Sequence, residues 1–141
     1  MELSLEKILN NEQFSLSFLK VLLENSYDSI IITDCTEDTL IIYVNKAFNR
    51  LTGYESSEVI GKTPKILQGS ATDRHVIADL TDCLKNDSPF EGQAINYRKD
   101  GTPFIMNWRV LPLKIDNQTK AWIAIQREIG SSDGVVVKGV R

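Results

Sequence analysis

Three β-rich segments close the chain in succession, and only short turns separate them. They run from about Phe90 to Arg98, from about Pro103 to Leu113 and from about Ala121 to Glu128. Lys99-Asp100-Gly101 divides the first two, and Asp-Gly tolerates the positive φ angles that a tight hairpin needs. Asp116-Asn117-Gln118 reads as the second turn. Two more strand-like runs, Ser29 to Asp34 and Leu40 to Val44, flank the polar turn Cys35 to Thr39. Strands that come in runs, without a helix after each, predict an α+β domain around an antiparallel sheet.

The helices fall between and before these runs. Asn45 is a good N-cap, with Ala47, Phe48, Leu51 and Tyr54 following at helical spacing, and Gly53 ends that helix. Ser56 to Ile60 makes a second short turn that stops at Gly61. Pro64 opens a third, because it lacks only an N–H that a helix start leaves unpaired, and Gly69 closes it. The best-formed helix spans about Asp73 to Leu84, with Val76, Ile77, Leu80, Cys83 and Leu84 in one stripe. A leading helix carries Leu5, Ile8, Leu9, Leu16, Leu19, Val21, Leu22 and Leu23, interrupted near Asn10-Asn11. The order is helix, then β-β-α-α-α-β-β-β. The expected domains are a flanking helix over 1–24, one α+β unit over 25–129 and a flexible tail over 130–141, opened by the linker-like Gly130 to Gly134.

The 141 residues suit one globular domain, with 42% hydrophobic and 25% charged residues. A net charge of −3 without a run of like charges leaves no footprint for nucleic acid or an anionic membrane. No apolar stretch is long enough to span a bilayer, and Glu2, Glu6 and Lys7 interrupt any signal-like start. Cys35 and Cys83 lack metal-ligand spacing, and His75 is the one histidine. The expected setting is a reducing cytoplasm. No nucleophile–base–orienter set or phosphate-binding glycine loop is present, so the expectation is a module other than an enzyme.

Tyr43-Val44-Asn45-Lys46-Ala47-Phe48-Asn49-Arg50-Leu51-Thr52-Gly53-Tyr54 resembles the PAS signature around the first helices of that fold. Asn96-Tyr97-Arg98-Lys99-Asp100-Gly101 resembles the PAS hairpin after the long helix. Between them, Gly61-Lys62-Thr63-Pro64-Lys65-Ile66-Leu67-Gln68-Gly69 is similar to the flavin-binding loop of the light-oxygen-voltage (LOV) branch. The resemblance covers about Asn25 to Ile129. It implies a PAS fold: a five-stranded antiparallel sheet with short helices on one face and an N-terminal flanking helix.

It also implies a flavin, FMN or the larger FAD, held by amides at its polar edge. Asn96, Asn107 and Gln126 match the family's edge-binding positions, and Gln68 matches its loop glutamine. Amides suit a pyrimidine edge because each offers a donor and an acceptor. The remaining implied contacts are Thr33, Lys65, Leu67, Ile77, Leu80, Leu111 and Trp122, with Lys65 toward the phosphate. The other reading of the amides is that they pair with each other, with backbone or with water. The family's photochemical cysteine falls at Pro64, so no thiol adduct is expected. Signalling would then run through flavin reduction, with Trp122 as electron donor and the Gln126 amide rotating once its ring partner is protonated. The alternative is a flavin-free PAS module for dimerisation or a small ligand.

Alternation places Asn107, Arg109 and Leu111 on one face of their strand, which becomes the ligand face if Asn107 is a ligand residue. Arg109 would there meet an anionic group, or a bulge turns it to the rim. Phe104, Met106, Trp108 and Val110 would then face outward beside Ala121, Ile123 and Ile125. A face this apolar needs a cover, for which the leading helix or a second copy of the chain is expected, giving a homodimer.

Overall fold

A computed structural model describes residues 2–130 of the chain. The assignment of a flexible tail concerns residues that, beyond Gly130, lie outside that range. Two helices lead, α1 (Leu5–Asn10) and α2 (Glu12–Asn25). Strands β1 (Ser29–Asp34) and β2 (Ile41–Val44) follow, then helices α3 (Lys46–Thr52) and α4 (Ser56–Val59). A 3₁₀ turn at Pro64–Leu67 precedes α5 (Arg74–Lys85). Strands β3 (Phe90–Tyr97), β4 (Pro103–Ile115) and β5 (Gln118–Glu128) complete one antiparallel sheet in the order β2-β1-β5-β4-β3. This is the expected α+β architecture.

Local chemistry sets most boundaries. Asn45 caps α3 by accepting from the Phe48 N–H at 3.0 Å, and Gly53 ends that helix at φ +79°. Asp73 caps α5 through the His75 N–H at 2.9 Å. The interruption near Asn10-Asn11 is a real break: Asn11 leaves helical geometry, and its side chain accepts from the Phe14 N–H to start α2. The β4–β5 turn is tighter than expected. Asp116 and Asn117 both take positive φ, and Ile115 pairs directly with Gln118.

The inner face of the sheet carries two adjoining clusters. Phe90, Ala94, Phe104, Met106, Trp108, Val110 and Trp122 pack under α5, while Ile31, Ile41, Val44, Phe48, Val59 and Leu67 pack under α3 and α4. Ala124 touches both. Arg98 pins the β3–β4 hairpin to α3: it donates to the Leu51 carbonyl, pairs with Glu128 and lies over the Phe104 ring at 4.6 Å.

Two expectations are corrected here. The phase of β4 is the reverse of the one anchored on Asn107: Phe104, Met106, Trp108 and Val110 point inward, and Asn107, Arg109 and Leu111 point outward. The ladder from Pro103 to Leu113 carries no bulge that would rotate Arg109. Burying four large apolar side chains outweighs placing one amide inside, at roughly 25 cal/mol per Å² of apolar surface. The second correction concerns the leading helices. Their main packing partner in the body is α3, and neither α1 nor α2 has a buried residue. Within one chain they do not form the expected cover for the sheet.

Candidate functional site

The inner face holds a partly open cavity of about 70 Å³ between β1, β4, β5 and α5. Ile31, Leu80, Leu84, Val110, Ala124 and the rings of Trp108 and Trp122 form apolar walls, and Thr33, Thr39, Pro64 and Gln126 complete the lining. Strand pairing explains the set. Ser29, Ile31 and Thr33 lie opposite Gln126, Ala124 and Trp122, and Gln126 lies opposite Trp108 on its other side.

Gln126 is buried, and its Oε1 accepts from the Ser29 hydroxyl at 3.1 Å. The Thr33 hydroxyl is buried without a hydrogen-bond partner. Unpartnered buried hydroxyls are uncommon, so this atom marks a place where a polar ligand atom could sit. Asn96 is also buried, but its Nδ2 turns to the Met106 sulfur at 3.8 Å.

The expected site residues divide into three groups. Thr33, Leu80, Trp122 and Gln126 line the cavity. Asn96, Leu67 and Ile77 do not line it: Leu67 packs with Ile31 and Phe48, and Ile77 sits half-buried on α5. Asn107, Leu111, Lys65 and Gln68 lie elsewhere. Asn107 and Leu111 are on the outer face, and Lys65 is exposed on the 3₁₀ turn. Gln68 is held from outside, its Oε1 accepting from Arg74 at 2.9 Å. Arg109 is an outer-face residue paired with Glu91. It borders a cleft of about 310 Å³ with Asp28, Asn107, Ile125 and Arg127, where Asp28 and Arg127 form a second ion pair at 2.7 Å. The lining residues missed were Ile31, Thr39, Leu84, Trp108, Val110 and Ala124, and Pro64 was noted only as the position of the family's cysteine. For Trp108 and Val110 the available signal was Gly92, which pairs with Trp108 and leaves room for rings on that face.

Outside the cavity, Asn45 joins the leading helices to the sheet. Its Nδ2 donates to the carbonyls of Leu23 and Asp28, and its Oδ1 accepts from the N–H groups of Ile30 and Phe48. Tyr43 adds a second tie by donating to the Glu24 carboxylate. Burial and the neighbouring Glu24 charge both raise the Tyr43 phenol above its usual pKa.

The PAS domain family matches residues 28–131. A LOV domain from a blue-light-activated histidine kinase of Erythrobacter litoralis superposes with a TM-score of 0.72 and 32% identity, over 76% of this chain and all of that one. The chain belongs to the PAS family, in its LOV branch. Phototropin-2 of Oryza sativa is 35% identical over 87% of this chain, which spans only 14% of that protein's length. An RNA-binding light-oxygen-voltage receptor shares the fold at 24% identity, with a TM-score of 0.80 over 92% of this chain and 37% of that one. No helix among the described residues is long and apolar enough to cross a membrane.

As a LOV domain the chain lacks the photoactive cysteine: Pro64 lines the cavity where the family's loop carries a thiol. Thr33 and Gln126 are suited to the polar edge of a flavin. The space is not. Pockets for drug-sized ligands run to roughly 300–1,000 Å³, and even benzene occupies an engineered cavity of about 150 Å³. A three-ring flavin does not fit 70 Å³ walled by two indoles.

Proposed function

We propose that this LOV-type domain is the sensory and self-association unit of a signalling protein, working as a second copy of the chain packs on it. The observation that carries this reading is the apolar surface of α2. Phe14, Leu16, Leu19, Val21 and Leu22 are each 47–57% exposed on one 14-residue helix. Solvent-facing helices seldom hold this much apolar surface without a partner. A homodimer suits it, because α2 is tied to the sheet through Asn45 and Tyr43, so a change at the dimer contact reaches β1 and β2.

The test is light scattering of the native chain against Leu19→Glu/Leu22→Glu. The native chain is expected as a dimer and the variant as a folded monomer. A native monomer, or an unaffected variant dimer, refutes the reading.

A flavin-bound sensor of light or redox state, working without a cysteinyl adduct, is the second reading. FMN is its first candidate and FAD its second. The unpartnered Thr33 hydroxyl and the inward Gln126 amide favour it, as does the LOV relationship. The small cavity counts against it. An absorbance spectrum of purified protein separates the two readings, since bound flavin makes the protein yellow.

A further inference from the structure

We infer that this LOV domain excludes flavin, and that Met106 and Trp108 on the inner face of β4 are the residues that exclude it. Trp108 lies on the inner face of β4, walls the cavity and is only 5% exposed. It is held from three sides. Its β3 partner is Gly92, its β5 partner is Gln126, and its ring meets Phe90 at 5.0 Å with the planes tilted by 52°.

Gly92 makes that arrangement possible. A Cβ there would lie 2.6 Å from the Phe90 ring, so the absence of a side chain lets Phe90 fold back beside Trp108. Swinging the indole out of the cavity would break this aromatic pair and expose a large apolar surface. Aromatic pairs add stabilisation beyond their buried area, so the indole stays in place as part of the core.

Met106 acts on the polar side. It lies two pairs along the β3–β4 ladder from Asn96, on the same face, and its sulfur takes the Asn96 amide N–H. A thioether is a weak acceptor with no donor. It donates nothing to a heteroaromatic edge, and it holds the Asn96 amide, which does not line the cavity. Of the three buried side-chain amides among the described residues, Asn45, Asn96 and Gln126, only Gln126 lines the cavity, and its Oε1 is already engaged by Ser29. Small volume, a fixed indole and one remaining amide therefore act together against a flavin.

The experiment uses the full chain, purified from cells supplied with riboflavin and then titrated with FMN, FAD and riboflavin while flavin fluorescence is followed. The native protein is expected colourless and without effect on flavin emission. Trp108→Phe/Met106→Asn is expected to bind FMN about tenfold or more tightly than the native chain. Trp108→Phe alone tests the space without the polar change, and circular dichroism checks that each variant is folded.

A native chain that purifies yellow, or that quenches added FMN, overturns the inference whatever the variants do. A colourless native chain whose folded variants gain no affinity overturns the assignment to Met106 and Trp108. Dimerisation is read separately by light scattering, so either proposal can fail without the other.

Discussion

Ser29 and Gln126 face each other across β1 and β5, with the Ser29 hydroxyl donating to Gln126 Oε1 at 3.1 Å. Both residues are buried, so this bond fixes the orientation of the only amide among the described residues that lines the cavity. Replacing Gln126 by Leu should therefore cost about 1–3 kcal/mol, because the Ser29 hydroxyl is left buried without its partner. Urea denaturation checks this. Ser29→Ala/Gln126→Leu should lose less than the two single changes added together, since one bond is removed twice.

Trp108→Ala should be far more damaging. It removes a buried indole and leaves Phe90 without its aromatic neighbour. Large-to-small changes of this kind cost about 3–5 kcal/mol. The loss should appear as a lower urea midpoint with an unchanged slope.

Asn45→Ala should cost at least ~2 kcal/mol, because the cap of α3 and several buried hydrogen bonds disappear together. Hydrogen exchange should quicken most at the C-terminal end of α2 and at Ile30. Uniform acceleration across the sheet would instead mean that Asn45 only supports general stability.

The Tyr43–Glu24 tie predicts an alkaline weakening. The folded phenol has a pKa raised above the usual 10.0 by burial and by Glu24. Its contribution is complete below the unfolded pKa and is lost as pH rises from there toward the folded value. Undocking of α2, followed by the fluorescence of a dye placed on it, should thus begin above pH 10 in the native chain. Tyr43→Phe should show less change over the same interval.

Blue light should produce no thiol adduct, even in a Trp108→Phe/Met106→Asn chain loaded with FMN. Pro64 supplies no sulfur at the cavity wall, and Cys35 is exposed in the β1–β2 turn. The measurement is the flavin spectrum before and after illumination. Bleaching with a blue shift would place Cys83, half-buried on α5, within reach of the ring.

What the sequence revealed follows the range of the forces involved. The Asn45 cap, the Gly53 stop, the Asp-Gly turn and the break at Asn11 are set by neighbouring residues, and each was readable. The inward phase of β4 was not, because both faces of that strand hold apolar side chains and alternation alone has no preferred phase. Anchoring the phase on Asn107 inverted it. Gly92 carried the missing information: it sits opposite Trp108, and a strand glycine there makes room for rings. Lys65 and Gln68 were misplaced for a related reason. Their loop has the family's spelling, but Arg74 draws the glutamine outward, an interaction visible only in three dimensions.

The four bonds of Asn45 have a mechanical consequence. One side-chain amide grips the end of α2, the carbonyl before β1, the second residue of β1 and the first turn of α3. A torque applied to the leading helices is therefore delivered at a single rigid joint rather than spread along a compliant seam. The strand on which it lands is the one that carries Ser29, one bond from Gln126. Twisting the arm and filling the cavity would load the same few atoms from opposite ends.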